Sequence, residues 1–82
     1  MMALAKGIPT TVAAAVIGKS EDFIRWGLRQ KRLPIGDAVQ KTDRRWSYYI
    51  SPKLLSEYTG VTVITLERMA AAYRQKVKEA RL

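Results

Sequence analysis

Arg25 and Arg29 stand four residues apart in GKSEDFIRWGLRQKRLP, residues 18–34. On a helix that spacing puts both on one side, a single turn apart. A guanidinium is a planar fork of donors that matches O6 and N7 of guanine, or two oxygens of a phosphate. Three more cations, Lys41, Arg44 and Arg45, gather around Thr42-Asp43. Lys19 and Ser20 precede the first group, and Tyr49 follows the second. The chemistry open to these groups is anion recognition. Ser and Tyr hydroxyls are present, but no acid/base constellation stands near any of them to activate a nucleophile, so an enzyme is not expected. The chain contains no His and no Cys. That removes zinc sites built on those ligands, thiol chemistry and disulfides, and neither a cofactor nor a metal is expected.

The balance of charge points the same way. In 82 residues there are 15 basic and 7 acidic side chains, a formal charge of +8. With 48% apolar residues the chain has enough to bury for one small folded domain. Such a field favours polyanions, nucleic acid first and an anionic membrane second. Membrane binding needs cations beside a large exposed apolar face, a pattern that only the C-terminal segment approaches, so no membrane partner is expected. The bland alternative is a basic domain with no polyanionic partner. The N-terminal stretch MMALAKGIPTTVAAAVIG carries Lys6 alone as a positive flank and is interrupted by Pro9. It does not read as a signal peptide, and no apolar run reaches membrane-span length, so a cytoplasmic location is expected.

The elements that must position these cations can be read from spacing and punctuation. Thr10 or Thr11 can cap a short Ala-rich helix, TVAAAVI, with Ala13, Val16 and Ile17 buried and Gly18 at its end. Ser20 caps a second helix, whose Glu21 and Asp22 suit the positive first turn. Ile24, Gly27, Leu28 and the stem of Lys31 share its inner side. Asp22, Trp26 and Arg29 share the outer one, with Arg25 on its flank. Pro34 stops this helix near Lys31 or Arg32. IGDAVQKTDRRWSYYI then reads as a hairpin turning at Thr42-Asp43. That register sets Lys41 opposite Arg44, Val39 opposite Trp46 and Ile35 opposite Ile50, with Trp46, Tyr48 and Ile50 on the core face. Ser51 and Pro52 start a third helix with Leu54, Leu55 and Tyr58 inward and Gly60 as its stop. A fourth helix, from about Thr65 to Arg81, bears the stripe Leu66, Ala70, Tyr73, Val77, Ala80. The expected fold is mainly α with a β-hairpin: a winged helix-turn-helix over residues 1–60, and a C-terminal helix over 61–82 that packs on the domain or mediates oligomerisation.

TVAAAVIGKSEDFIRWGLRQKRLP followed by DRRWSYYISPKLLSEY resembles the winged helix-turn-helix shared by phage and transposon excisionases and the MerR-type DNA-binding module. The resemblance spans about residues 9–60. It is carried by Thr11 to Gly18, Ser20, Arg25, Arg29, Leu33-Pro34, Arg44-Arg45-Trp46 and Ile50 to Tyr58. Gly27 stands where a larger apolar residue is common, and Trp26 where a polar or basic one is. The resemblance implies a sequence-specific binder of double-stranded DNA, from a phage or mobile element. Such a protein acts as a recombination directionality factor beside an integrase or recombinase, or as a small transcriptional regulator, and can self-associate on DNA.

On that reading the candidate DNA contacts are Lys19, Ser20, Asp22, Arg25, Trp26, Arg29, Lys41, Arg44, Arg45 and Tyr49. Arg25 and Arg29 would donate to guanine, and Lys19 would meet a phosphate. Asp22 can accept from a cytosine amino group or simply favour the helix dipole. A like-charge pair of Lys41 and Arg44, with Arg45 beside it, would be relieved by phosphate or a narrow minor groove. Trp26 can meet DNA sugar, a protein partner or the C-terminal helix. Tyr49 is either a phosphate donor or a plain surface tyrosine. The alternative function is a non-enzymatic protein-interaction module on the same fold, docking an acidic partner in a phage or conjugative assembly.

Overall fold

A computed structural model of the chain describes residues 7–80. In chain order these form α1 (Thr10–Ile17), α2 (Glu21–Arg29), β1 (Gly36–Thr42), β2 (Arg45–Ile50), α3 (Pro52–Thr59) and α4 (Val63–Ala80). The protein is mainly helical, with one two-stranded antiparallel sheet. The expected end of the last helix at Arg81, and Lys6 of the N-terminal stretch, lie outside the described residues.

Helix boundaries follow the local chemistry closely. Ser20 and Ser51 each cap a helix, accepting a hydrogen bond from the Phe23 N–H at 3.1 Å and from the Leu54 N–H at 3.3 Å. Pro52 occupies the first turn of α3, and Gly18 and Gly60, both left-handed, end α1 and α3. Thr62 begins α4, its hydroxyl accepting from the Thr65 N–H. The cap of α1 differs from expectation: Pro9 holds that position and no side chain closes it. The two threonines reach across the fold instead. The Thr10 hydroxyl donates to Glu21 at 3.0 Å and the Thr11 hydroxyl to the Tyr73 hydroxyl at 3.3 Å. Tertiary partners have taken the groups that a cap would have used.

The five largest side chains that are fully buried each come from a different segment. Ile24 comes from α2, Ile35 from the link before β1, Ile50 from the end of β2, Leu55 from α3 and Leu66 from α4. Burying each contributes on the order of 1.5–3 kcal/mol. Val12, Ala13 and Ala14 of α1 complete the centre, where two small side chains let the neighbouring helices approach closely. Val16 and Ile17 are only half-buried at the rim. Helix α4 packs against α1 and α3. Its stripe is buried at Leu66 and Ala70, half-buried at Tyr73 and Val77, and exposed at Ala80. On α3 the buried positions are Pro52 and Leu55, one turn apart. Leu54 and Tyr58, expected inside, are exposed, because one turn of eight-residue α3 faces the core and its flanks do not.

Helix α2 stops earlier than Pro34 alone would require. It ends at Arg29, and Lys31 is left-handed with φ 57° and exposed, so its stem does not cover the core. The reversal lets the Arg32 N–H donate to the Gly27 carbonyl at 2.8 Å and drives Leu33 under the helix. A Cβ on Gly27 would lie 2.6 Å from Leu33 Cγ and Cδ1. The missing side chain of Gly27 is therefore the space that Leu33 fills.

The hairpin register also differs from expectation. The pairs are Gly36 with Ile50, Ala38 with Tyr48, Val39 with Ser47, Gln40 with Trp46 and Thr42 with Arg45. The turn is Asp43-Arg44 rather than Thr42-Asp43, and Lys41 is bulged out of the ladder. The Thr42 hydroxyl accepts from the Arg44 N–H at 3.4 Å, a local bond that favours the shifted turn. Lys41 thus never faces Arg44 as a cross-strand pair. A bulge absorbs the extra residue and keeps Tyr48 and Ile50 on the core side.

Gly36 is the tightest point of the sheet, since a Cβ there would overlap the Tyr49 carbonyl oxygen. Gly36→Ala is expected to lower the unfolding free energy by about 3 kcal/mol, the upper range for overpacking. Gly27→Ala meets a side chain rather than backbone and gains helix propensity, so its loss should be about 1 kcal/mol. Urea denaturation of both variants checks the order. Equal stability of Gly36→Ala and the wild type would mean that β1 and β2 do not hold this spacing.

Candidate nucleic-acid interface

The second helix owes its orientation to three inward residues, Ile24, Gly27 and Leu28, all buried. What remains outside divides lengthwise. Arg25 and Arg29 line the side toward the hairpin. Phe23 and Trp26 stand on the other side, and Asp22 lies between, at the exposed front.

Arg29 is clamped rather than free. Its Nε donates to the Tyr48 hydroxyl at 2.7 Å. Its guanidinium lies 5.0 Å from the centroid of the Trp46 ring and 5.7 Å from that of Tyr48. A cation over two aromatic faces is attracted by their quadrupoles. The contact also joins α2 to the hairpin. Trp46, expected in the core, is half-buried and covered by Arg29 instead. The terminal nitrogens of Arg29 have no hydrogen-bond partner among the described residues and remain available as a fork.

Arg25 is held by carboxylates of its own helix. Nη2 lies 2.9 Å from Asp22 Oδ1, and Nη1 lies 3.5 Å from Glu21 Oε1. The Asp22 hydrogen bond is the main cause that raises the Arg25 pKa above its ordinary value, so this side chain stays cationic. Asp22 sits in the first turn of α2, where the helix dipole also favours it. An exposed pair of this kind contributes only about 0.3–0.5 kcal/mol, which a stronger anion can displace.

The shifted register brings the hairpin cations to the same place. Lys41, Arg44 and Arg45 line one open cleft with Arg25, Arg29, Trp46, Ser47 and Tyr48, about 440 Å³ in volume. The bulge at Lys41 and the turn at Arg44 set these charges apart instead of directly opposite each other. No carboxylate is among the residues that line the cleft. Five cations therefore converge on one concave surface with an aromatic floor.

The other expected contacts fall outside that cleft. Ser20 is engaged as the cap of α2, and Lys19 lies at the entry of the same helix with Nζ 5.6 Å from the Phe23 ring. Trp26 is exposed on the outer side of α2, with the Arg32 guanidinium 5.9 Å from its ring. Tyr49 lies apart from the cleft, its ring beside Gly7 in a hollow that Pro9, Thr10 and Arg74 also line. Sequence reasoning overlooked Phe23, Arg32 and the roles of Trp46 and Tyr48 as a seat for Arg29. Phe23 had a usable signal, three residues before Trp26 and off the apolar stripe. The seat had none, because it depends on how the hairpin stands against α2. Among the described residues no group of His, Cys, Asp and Glu could hold a metal ion, and no helix is long and apolar enough to cross a membrane.

Compared with family models, with curated proteins and with solved structures, this chain matches none.

Proposed function

We propose that this chain is a sequence-specific DNA-binding protein in which α1 and α2 act as a helix-turn-helix and the β1–β2 hairpin as its wing. The observation that carries the reading is the cleft between α2 and the hairpin, where five cations converge and no carboxylate lines the wall. A surface of that sign and shape suits a duplex backbone running between the two elements. With α2 in the major groove, the free fork of Arg29 faces base edges, while Lys41, Arg44 and Arg45 grip phosphates or the adjacent minor groove. Arg25 exchanges a weak carboxylate pair for phosphate or guanine. By its resemblance to excisionases, the protein binds and bends DNA of a phage or mobile element beside a recombinase, or regulates transcription there from the bacterial cytoplasm. Strand exchange would belong to that partner.

Selection of bound duplexes from a random pool, at about 150 mM salt to suppress phosphate-only binding, tests the reading. A recurrent motif is expected. Its absence would assign the basic cleft to an acidic protein surface. Within the enriched site, Arg29→Ala is expected to weaken binding by about 1–3 kcal/mol and to relax preference at one position. Arg44→Ala should weaken all sequences alike and lower the salt slope by about one. Unchanged binding by both variants would remove the cleft from the interface.

Asp22→Asn separates the two roles open to that carboxylate. Loss of the dipole interaction and of the Arg25 pair is expected to lower stability by about 0.5–1 kcal/mol. Affinity should rise on every sequence, since a negative charge is removed from the front of α2. A changed base preference instead would make Asp22 a reader of cytosine.

A further inference from the structure

The side of α2 away from the hairpin carries an unusual surface. Phe23 and Trp26, one turn apart, are 42% and 55% exposed. Two large rings left to water on a nine-residue helix call for an explanation, because an exposed apolar patch marks a contact surface more often than a single exposed residue does. The patch is rimmed by cations: Lys19 stands over the Phe23 ring and Arg32 over the Trp26 ring. With Ser20, Asp22, Arg25 and Arg29, the two rings line a shallow depression of about 450 Å³. Arg25 and Arg29 also belong to the basic cleft, so the two surfaces are continuous.

The hydrogen-bonding groups of this depression are largely engaged. Ser20 caps the helix, Asp22 and Arg25 hold each other, and Nε of Arg29 is given to Tyr48. What the surface offers is apolar area inside a positive field. A ligand that fits must be polyanionic and must project small apolar groups. The major groove of DNA meets both conditions through the 5-methyl group of thymine, the apolar feature among the base edges it displays.

We propose that Phe23 and Trp26 recognise thymine 5-methyl groups, so that the preferred site requires thymine where the aromatic side of α2 lies, while the cleft cations supply affinity. The inference rests on the DNA-binding reading above and adds the base class that α2 selects.

The test uses the full chain and the duplex enriched from the random pool, resynthesised with deoxyuridine in place of thymidine. That exchange removes the methyl groups and keeps every hydrogen-bonding edge. Affinity is expected to fall about fourfold for each contacted methyl group. The Phe23→Ala, Trp26→Ala double variant should bind the two duplexes equally. Its fold is checked by circular dichroism, and the singly substituted Trp26→Gln, at the more exposed position, should show reduced discrimination if the double variant does not fold. An enriched motif with no required thymine, equal wild-type affinity for the two duplexes, or variants that discriminate as the wild type does would each overturn methyl recognition and leave DNA binding standing. A pool from which nothing is enriched would overturn the DNA-binding reading beneath it.

Discussion

The hairpin stands beside α2 because Leu33 closes under Gly27. The reversal through left-handed Lys31, with the Arg32 and Leu33 N–H groups returning to the Gly27 carbonyl, turns the chain sharply after the helix. Leu33 can then be buried, and Ile35 enters the core two residues later. From that anchor β1 has one direction to leave, and β2 returns along it to deliver Ile50. A residue much larger than Ala at Gly27 would compete with Leu33 for the space under the helix. The position of the three hairpin cations relative to Arg25 and Arg29 thus depends on how Leu33 packs under Gly27.

The arginines show how a basic surface can be built without losing order. Long cationic side chains lose rotamer freedom when fixed, and like charges repel when gathered. Here each arginine of α2 is held by a different means. Carboxylates one turn back hold Arg25, and an aromatic floor with a hydroxyl holds Arg29. The second arrangement leaves a guanidinium with its donors presented outward, and preorganisation of that kind reduces the ordering needed on binding. Among the described residues no carboxylate or aromatic ring holds Lys41, Arg44 or Arg45, which stand exposed at the hairpin tip. The cleft therefore joins arginines held by their neighbours on α2 to exposed cations on the hairpin.

Helix α4 is part of the same structural economy. The domain is small, and its first three helices and hairpin share a core centred on a few aliphatic side chains. Leu66 and Ala70 close that core from below, and Tyr73 meets Thr11. Arg74 adds a bond to the Gly7 carbonyl, so that α4 ties down the segment that enters α1. The far turns of α4 carry Lys76 and Lys78 into solvent and take no part in the cleft.

Much of this was legible in the chain because it is local. Ser20, Ser51-Pro52, Gly18 and Gly60 set helix ends through hydrogen bonds and backbone freedom that involve only near neighbours. The alternation through Tyr48 and Ile50 placed those side chains on the core side, since a strand presents successive residues to opposite faces. The order of elements and the gathering of cations around α2 and the hairpin follow from that local grammar. The rest was decided by distant parts of the chain meeting. Thr10 and Thr11 abandoned capping for Glu21 and Tyr73, which no local pattern announces. The hairpin slipped by one residue because Thr42 could bond the turn and a bulge at Lys41 could absorb the difference. Leu54 and Tyr58 lost their place inside because the face of α3 that carries Pro52 and Leu55 was the one turned inward, and Trp46 found Arg29 in place of the core. Residue types determined what each segment could do. Packing determined which of those options were used, because a buried contact outweighs a local preference of a few tenths of a kcal/mol.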